Sequence, residues 1–261
     1  MNKKSLRRSV SKSNLLSKFA SPVHRKYMQY YCQSYTWTNH GRHWKTRVEP
    51  FELISVDPTT IKERQTKRDV FHGPYVSEIL SGDWDKGTEP LADYDLYQSL
   101  RNHFESGVPW KNTEFYERVS ANVDDEGWQK WGCNTLEEFE SRLDAIDQLY
   151  STIKTEGYRT QRELISEDLD DPIYNGWRSL PPELYEISVV INRSGEAVFF
   201  EGRHRLTIAQ CLNLDRIPVR VKARHMEWQK YRESRAITQD VDQVLASTNS
   251  VDEAEPSHPD L

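Results

Sequence analysis

The chain has 261 residues, enough for one large domain or two small ones and for a sizeable buried core. Charged residues make up 29%, mean hydropathy is −0.83, and no apolar run approaches the ~18 residues of a membrane span, which excludes a transmembrane protein. With 8 Trp, 13 Tyr and 8 Phe it is not a disordered chain, and with only 3 Cys it is not a disulfide scaffold.

The net charge of −6 hides a division along the chain. Residues 1–48 hold eleven Lys/Arg and no acid, whereas 238–261 hold six acids and no Lys/Arg. Residues 1–23 read as a basic, Ser-rich flexible arm. The apolar stretch at Leu15-Leu16 is too short for a secretory signal, although the acid-free composition also suits a transit peptide. From 24 to 47, cations alternate with Tyr27, Tyr30, Tyr31, Tyr35, Trp37 and Trp44. That mixture suits a nucleic acid, through base stacking and phosphate neutralisation. It also suits a segment whose aromatics pack on the domain while its cations stay in water. Cys32, Cys133 and Cys211 form no C-x-x-C and read as free thiols of a cytoplasmic protein.

In chain order, Phe51–Val56 is a strand stopped by Asp57-Pro58, with a short helix expected after the proline. Leu96, Tyr97, Leu100 and Phe104 share one face of a helix over 93–106 that Gly107 ends. Thr113 caps a shorter helix over 113–121. A longer helix covers 136–155, with a Thr135/Glu138 capping box and Gly157 beyond its end. Then come a strand at Ile187–Ile191, a turn at Asn192–Gly195 and a return strand at Ala197–Phe200. A helix from about His204 to Leu212, a strand at Ile217–Ala223 and a helix at Met226–Ile237 complete the pattern. Helices first and a strand–strand–helix–strand unit last indicate α+β. The domain runs over 24–237, followed by an acidic flexible tail over 238–261.

Chemistry concentrates at Phe200-Glu-Gly-Arg-His-Arg205. Gly202 stands where a strand turns sharply into a helix, and Arg203, His204 and Arg205 open that helix. Cations there oppose the positive end of the helix dipole, at about 0.3–1 kcal/mol each. A bound anion resolves the conflict, because backbone N–H groups, dipole and cations then act together. The competing reading pairs Arg203 and Arg205 with Glu201, Glu186 or Asp215 and leaves His204 to pack.

The hairpin, Gly-x-His-Arg, the helix containing Ala209 and the strand at Ile217-Pro218-Val219 resemble the ParB/sulfiredoxin-like fold, over 187–224. Val56-Asp57-Pro58 with Ile61 resembles its opening strand and turn. The resemblance implies a domain with a largely helical insertion over about 62–156 and a motif-bearing part over 157–224. The superfamily includes CTP-hydrolysing ParB proteins, the ATP-using reductase sulfiredoxin and an ADP-using free-serine kinase. By that likeness Gly202, His204 and Arg205 hold the phosphates of a nucleoside tri- or diphosphate with Mg²⁺, or of a phosphorylated small molecule; Arg203 departs from the family patterns but adds its charge to the same grip. Glu201 and Asp57 are then the candidate catalytic acids, with phosphoryl transfer or nucleotide hydrolysis as the reaction class. Sulfiredoxin's catalytic cysteine position is Arg203 here, so reductase chemistry does not carry over. No helix-turn-helix follows, and ParB-type DNA partitioning does not carry over either.

Arg159 and Gln161 add donors suited to phosphate, or else end a helix in solvent. Asp83-Trp84-Asp85 suits Mg²⁺ or a sugar, or else is a turn around a buried Trp. Asp124-Asp125-Glu126 reads as a solvated loop. Zinc-hydrolase, nucleophile-elbow, Walker A and G-x-G-x-x-G motifs are absent. The alternative function is a non-catalytic nucleic-acid-binding or regulatory module that uses residues 1–48.

Overall fold

The computed structural model describes residues 22–73, 75–121, 133–169, 171–173, 180–246 and 258–261. Its apolar runs form one mixed seven-stranded sheet, in the order β1-β7-β5-β6-β2-β4, with β3 also on β7. The strands are β1 (Leu53–Val56), β2 (Glu63–Gln65), β3 (Glu78–Leu80), β4 (Thr88–Pro90), β5 (Ser188–Ile191), β6 (Ala197–Glu201) and β7 (Ile217–His225). One side of the long β7 is shared. Its first half pairs antiparallel with β1 (Val56↔Ile217) and its last three residues pair parallel with β3 (Leu80↔His225). On its other side lies β5, parallel to β7 and antiparallel to β6, as a tight hairpin requires. Asn192 closes that hairpin, its Oδ1 accepting from the Ser194 and Glu196 N–H groups at 3.0 and 2.9 Å.

The helices are α1 over 22–36, α2 (Asp95–Ser106), α3 (Glu114–Ser120), α4 (Leu136–Glu156), α5 (Gln161–Ser166), α6 (Arg203–Cys211) and α7 (Met226–Ala246). Among the described residues, no helix is long and apolar enough to cross a membrane. The chain is thus of mixed α and β content.

Several expectations need correction. Pro58 opens only a 3-10 turn, Pro58–Thr60, because the chain straightens at Ile61 to enter β2. The span 62–156 is not mainly helical at its start: β2, β3 and β4 come from it. These three-residue strands are too short to show alternation, and pairing with neighbours defines them. The α4 capping box is half-made. Thr135 accepts from the Glu138 N–H, but the Glu138 carboxylate turns to the Asn134 N–H at 2.7 Å. Helix α7 runs to Ala246, past the compositional boundary at Thr238, and residues 258–261 return to the body of the protein. There Asp260 is buried and accepts from Arg224, from Arg232 and, at 2.8 Å, from the Trp228 indole. Residues 1–21 and 124–126 lie outside the described residues.

Helix α6 is sandwiched between two apolar layers. Its Leu206 and Ala209 join Ile187, Val189, Phe199, Val219 and Val221 of the sheet and its approach. Its Ile208 joins Leu96, Leu100, Phe139, Leu143 and Ile146 of α2 and α4. A third cluster, with Trp84, Val190, Val198 and Phe200, covers the other sheet face. Packing on both sides therefore fixes where α6 begins, and its start is where the candidate site lies.

Candidate functional site

Gly202 makes the strand-to-helix turn with φ +92°, in the left-handed region. A Cβ at this position would stand 2.8 Å from the Ile187 Cα and 3.1 Å from its Cγ1, so the backbone entering β5 excludes a side chain. The turn can therefore approach the sheet closely. Beside the start of α6 lies a cavity of about 360 Å³ lined by Arg68, Arg142, Ile173, Glu201, Gly202, Arg203 and His204.

Three arginines from three parts of the fold reach this cavity. Arg68 comes from the loop after β2, where its guanidinium lies over the Phe200 ring at 4.4 Å, donates to the Phe200 carbonyl and pairs with Glu201 at 3.5 Å. Arg203, at the first turn of α6, donates to the Tyr94 hydroxyl at 2.7 Å. Arg142 comes from α4 and acts with Arg203 on His204. Burial first, then those two guanidinium groups, push the His204 imidazole down to about 3, so it is neutral near pH 7. Behind the wall lies Arg220 of β7, fully buried, with its Nε donating to Ser188 Oγ at 3.3 Å. Burial pushes Arg220 down to about 10, against the nearby Glu201, and it stays charged near pH 7.

Arg205 does not line this cavity: it is buried, beside a small pocket of about 20 Å³ that it shares with Leu149, Ile173, Gly202 and His204. It pairs with buried Asp171 at 2.5 Å, donates to the Arg159 carbonyl at 3.2 Å and lies over the Tyr158 ring at 5.3 Å. Gln161 belongs to the same network, its Nε2 donating to Asp171 Oδ2 at 2.6 Å while its backbone N–H donates to Glu186. Burial pushes the Glu186 carboxyl up to about 7, although Arg205 opposes the shift. The Tyr158 hydroxyl donates to Glu186 Oε2 at 3.2 Å. Arg205 and Gln161 thus hold α5 and residues 171–173 to α6, which is structural work. Arg159 pairs with Glu167 at 2.7 Å and Glu156 at 3.6 Å on the surface.

No protein-family model, curated protein or solved structure matches this chain. The side chains themselves therefore carry the functional reading.

The predicted acids are not brought together. Glu201 lines the arginine cavity. Asp57 caps the turn at Pro58, accepting from the Thr59 N–H at 2.8 Å and hydroxyl at 2.7 Å, bonds that hold its carboxyl below the usual range. It lines a separate open cleft of about 780 Å³ with Arg216 and His258. Asp83 and Asp85 both bind Arg193, at 2.7 Å each, around a buried Trp84, so they make a turn tied to the β5–β6 hairpin. Among the described residues, no group of three His, Cys, Asp or Glu side chains is arranged to hold a metal. All three cysteines are free thiols.

Sequence reading missed Arg68 and Arg142, which stand far from Gly202 along the chain and carry no local motif of their own. It also missed Asp171 as the partner of Arg205. Helix α5 did leave a signal, the capping box Thr160-x-x-Glu163, which the structure completes in both directions.

Proposed function

We propose that the α6 cavity binds the phosphates of a nucleotide or of a phosphorylated small molecule. The observation that carries this reading is the convergence of Arg68, Arg142 and Arg203 on a glycine-led helix N-terminus with one acid, Glu201, at its rim. A helix N-terminus contributes about 0.3–1 kcal/mol toward an anion. Each charge-assisted hydrogen bond from an arginine adds roughly 1.5–3 kcal/mol. The neutral His204 supplies a ring nitrogen without a further charge to be balanced.

We read the hairpin β5–β6, the turn at Gly202, α6 and β7 as a ParB/sulfiredoxin-like unit. Support comes from its element order and from β1 lying beside β7. Phosphoryl transfer or nucleotide hydrolysis is the reaction class that suits it. The acceptor oxygen would attack the terminal phosphorus, its proton would pass to Glu201, and the shortened nucleotide would leave. Mg²⁺ would be held here by the ligand's own phosphates and water, where it would neutralise phosphate charge, while Glu201 keeps its role as proton acceptor.

Thermal-shift measurements against CTP, ATP, ADP, GTP and inorganic phosphate, with and without Mg²⁺, test this proposal. A ligand at 100 times its Kd adds about 2.7 kcal/mol. The expected result is a shift with at least one ligand that Arg203→Ala and Arg142→Ala each reduce and Asp57→Ala does not. A shift with none of them, or one that survives both arginine variants, contradicts the reading.

A further inference from the structure

Helix α1 and the turn after it expose an aromatic surface that the core does not use. Tyr30 is 73% exposed, Trp37 63% and Tyr27 62%, with Tyr31 beside them. Tyr27, Tyr31 and Tyr35 form a ladder of rings one helical turn apart, with centroids separated by 6.5 and 6.2 Å. The opposite face of α1 is anchored. Cys32 and Thr36 are fully buried, and Thr36 Oγ1 accepts from the Ser77 N–H at 3.2 Å. At the turn that follows, the His40 ring accepts from the Ile79 N–H at 3.4 Å. The rings are therefore displayed on a fixed support, so little conformational entropy is lost when they are covered.

Charge selects what covers them. Residues 22–48 hold Arg25, Lys26, Arg42, Lys45 and Arg47 and no acid. A second copy stacked on this face would set those five cations against themselves. Residues 22–48 carry +5, whereas the chain from Glu49 on carries a net −17, so a polyanion is drawn to this face over most of the remaining surface. An anion that also offers flat apolar faces to tyrosine and tryptophan rings is a polynucleotide with its bases unpaired.

We propose that the exposed face of α1, with Tyr27, Tyr30, Tyr31 and Trp37 as its stacking surface, binds single-stranded nucleic acid. Lys26 and Arg42 neutralise backbone phosphates beside the rings. This site is separate from the α6 cavity and does not depend on it.

Fluorescence anisotropy of labelled 20-nucleotide oligo(dT) and oligo(U) with the full chain tests the proposal. Binding of either is expected, weakening with salt at about 0.7 per neutralised phosphate on a log–log plot. The triple variant Tyr27→Ala/Tyr30→Ala/Trp37→Ala should bind at least ten-fold more weakly with an unchanged salt slope. The conservative Tyr30→Phe/Trp37→Tyr pair should bind like wild type. Lys26→Ala/Arg42→Ala should flatten the slope by about 1.4. If the triple variant shows an altered circular-dichroism melt, Trp37→Ala alone, in the turn after α1, should still bind more weakly than wild type with an unchanged salt slope. Arg203→Ala, which removes a cation of the α6 cavity, should leave oligonucleotide affinity intact, so the two proposals fail separately. Several results would overturn this one: no binding at low salt, wild-type affinity in both the triple variant and Trp37→Ala, or displacement by poly-glutamate as effective as by unlabelled oligo(U). The last would mean an acidic protein partner.

Discussion

Arg205→Ala should unfold this protein more readily instead of selectively removing phosphate binding. Arg205, Asp171 and Glu186 are 4, 1 and 3% exposed, and the guanidinium is the cation shared by both carboxyls. Removing one partner of a buried ion pair costs about 3–5 kcal/mol, because the other charge stays out of water. That is a large share of a typical total stability of about 5–15 kcal/mol. The loss should depend on pH. With Arg205 present, Asp171 is held below its usual range, so it adds stability above about pH 4 that is lost as pH falls further. Without the arginine both buried carboxyls take up protons more readily than in the unfolded chain. The variant then binds more protons when folded, and its stability falls as pH rises. Urea unfolding followed by tryptophan fluorescence at pH 5 and pH 8 measures this directly. A larger deficit at pH 8 is expected; a loss below about 1 kcal/mol there, or an equal loss at both, would refute the argument.

Other positions give independent tests. Gly202→Ala combines positive-φ strain of about 1–3 kcal/mol with a Cβ 2.8 Å from the Ile187 backbone, so its urea midpoint should drop clearly; an unchanged midpoint means the turn is free to relax. Glu186 has its carboxyl raised from 4.5 to about 7, so the folded chain holds the extra proton and wild-type stability should fall by about 3 kcal/mol as pH rises between those values. Glu186→Gln should flatten that slope, and an identical slope would show that another group causes it. Asp260→Ala strands Arg224 and Arg232 in the core and should cost about 3–5 kcal/mol in the same assay. A change within experimental error would mean that residues 258–261 do not dock in solution.

What could be read from the sequence followed from local rules. The 3.6-residue spacing of Leu96, Leu100 and Phe104 and of Phe139, Leu143 and Ile146 marked α2 and α4, with Gly107, Thr135 and Gly157 marking three of their ends. The β5–β6 hairpin and the glycine turn into α6 were legible because Asn192, Gly195 and Gly202 each meet a backbone demand of their position. Strands β2, β3 and β4 were not legible, since three residues paired at a distance leave no periodic trace. The aromatics of α1 were open to two readings, and composition could not decide between them; the structure buries Cys32 and Thr36 and leaves Tyr27, Tyr30, Tyr31 and Trp37 outside. At the site, the start of α6 was marked by its cations, but which of them faces the cavity depends on helix rotation. Arg203 and Arg205 are two residues apart, about 200° around the helix, so one lines the cavity mouth and the other points to Asp171.

The most direct test of the phosphate site is an isothermal titration with pyrophosphate at low salt, comparing wild type with the Arg142→Ala/Arg203→Ala double variant. Saturable one-to-one binding is expected in wild type, weakened about 100-fold or more in the double variant by the loss of two charge-assisted contacts. Arg216→Ala, on the Asp57 cleft, should bind like wild type. No heat of binding in the wild-type chain, or equal affinity in the double variant, would contradict the assignment.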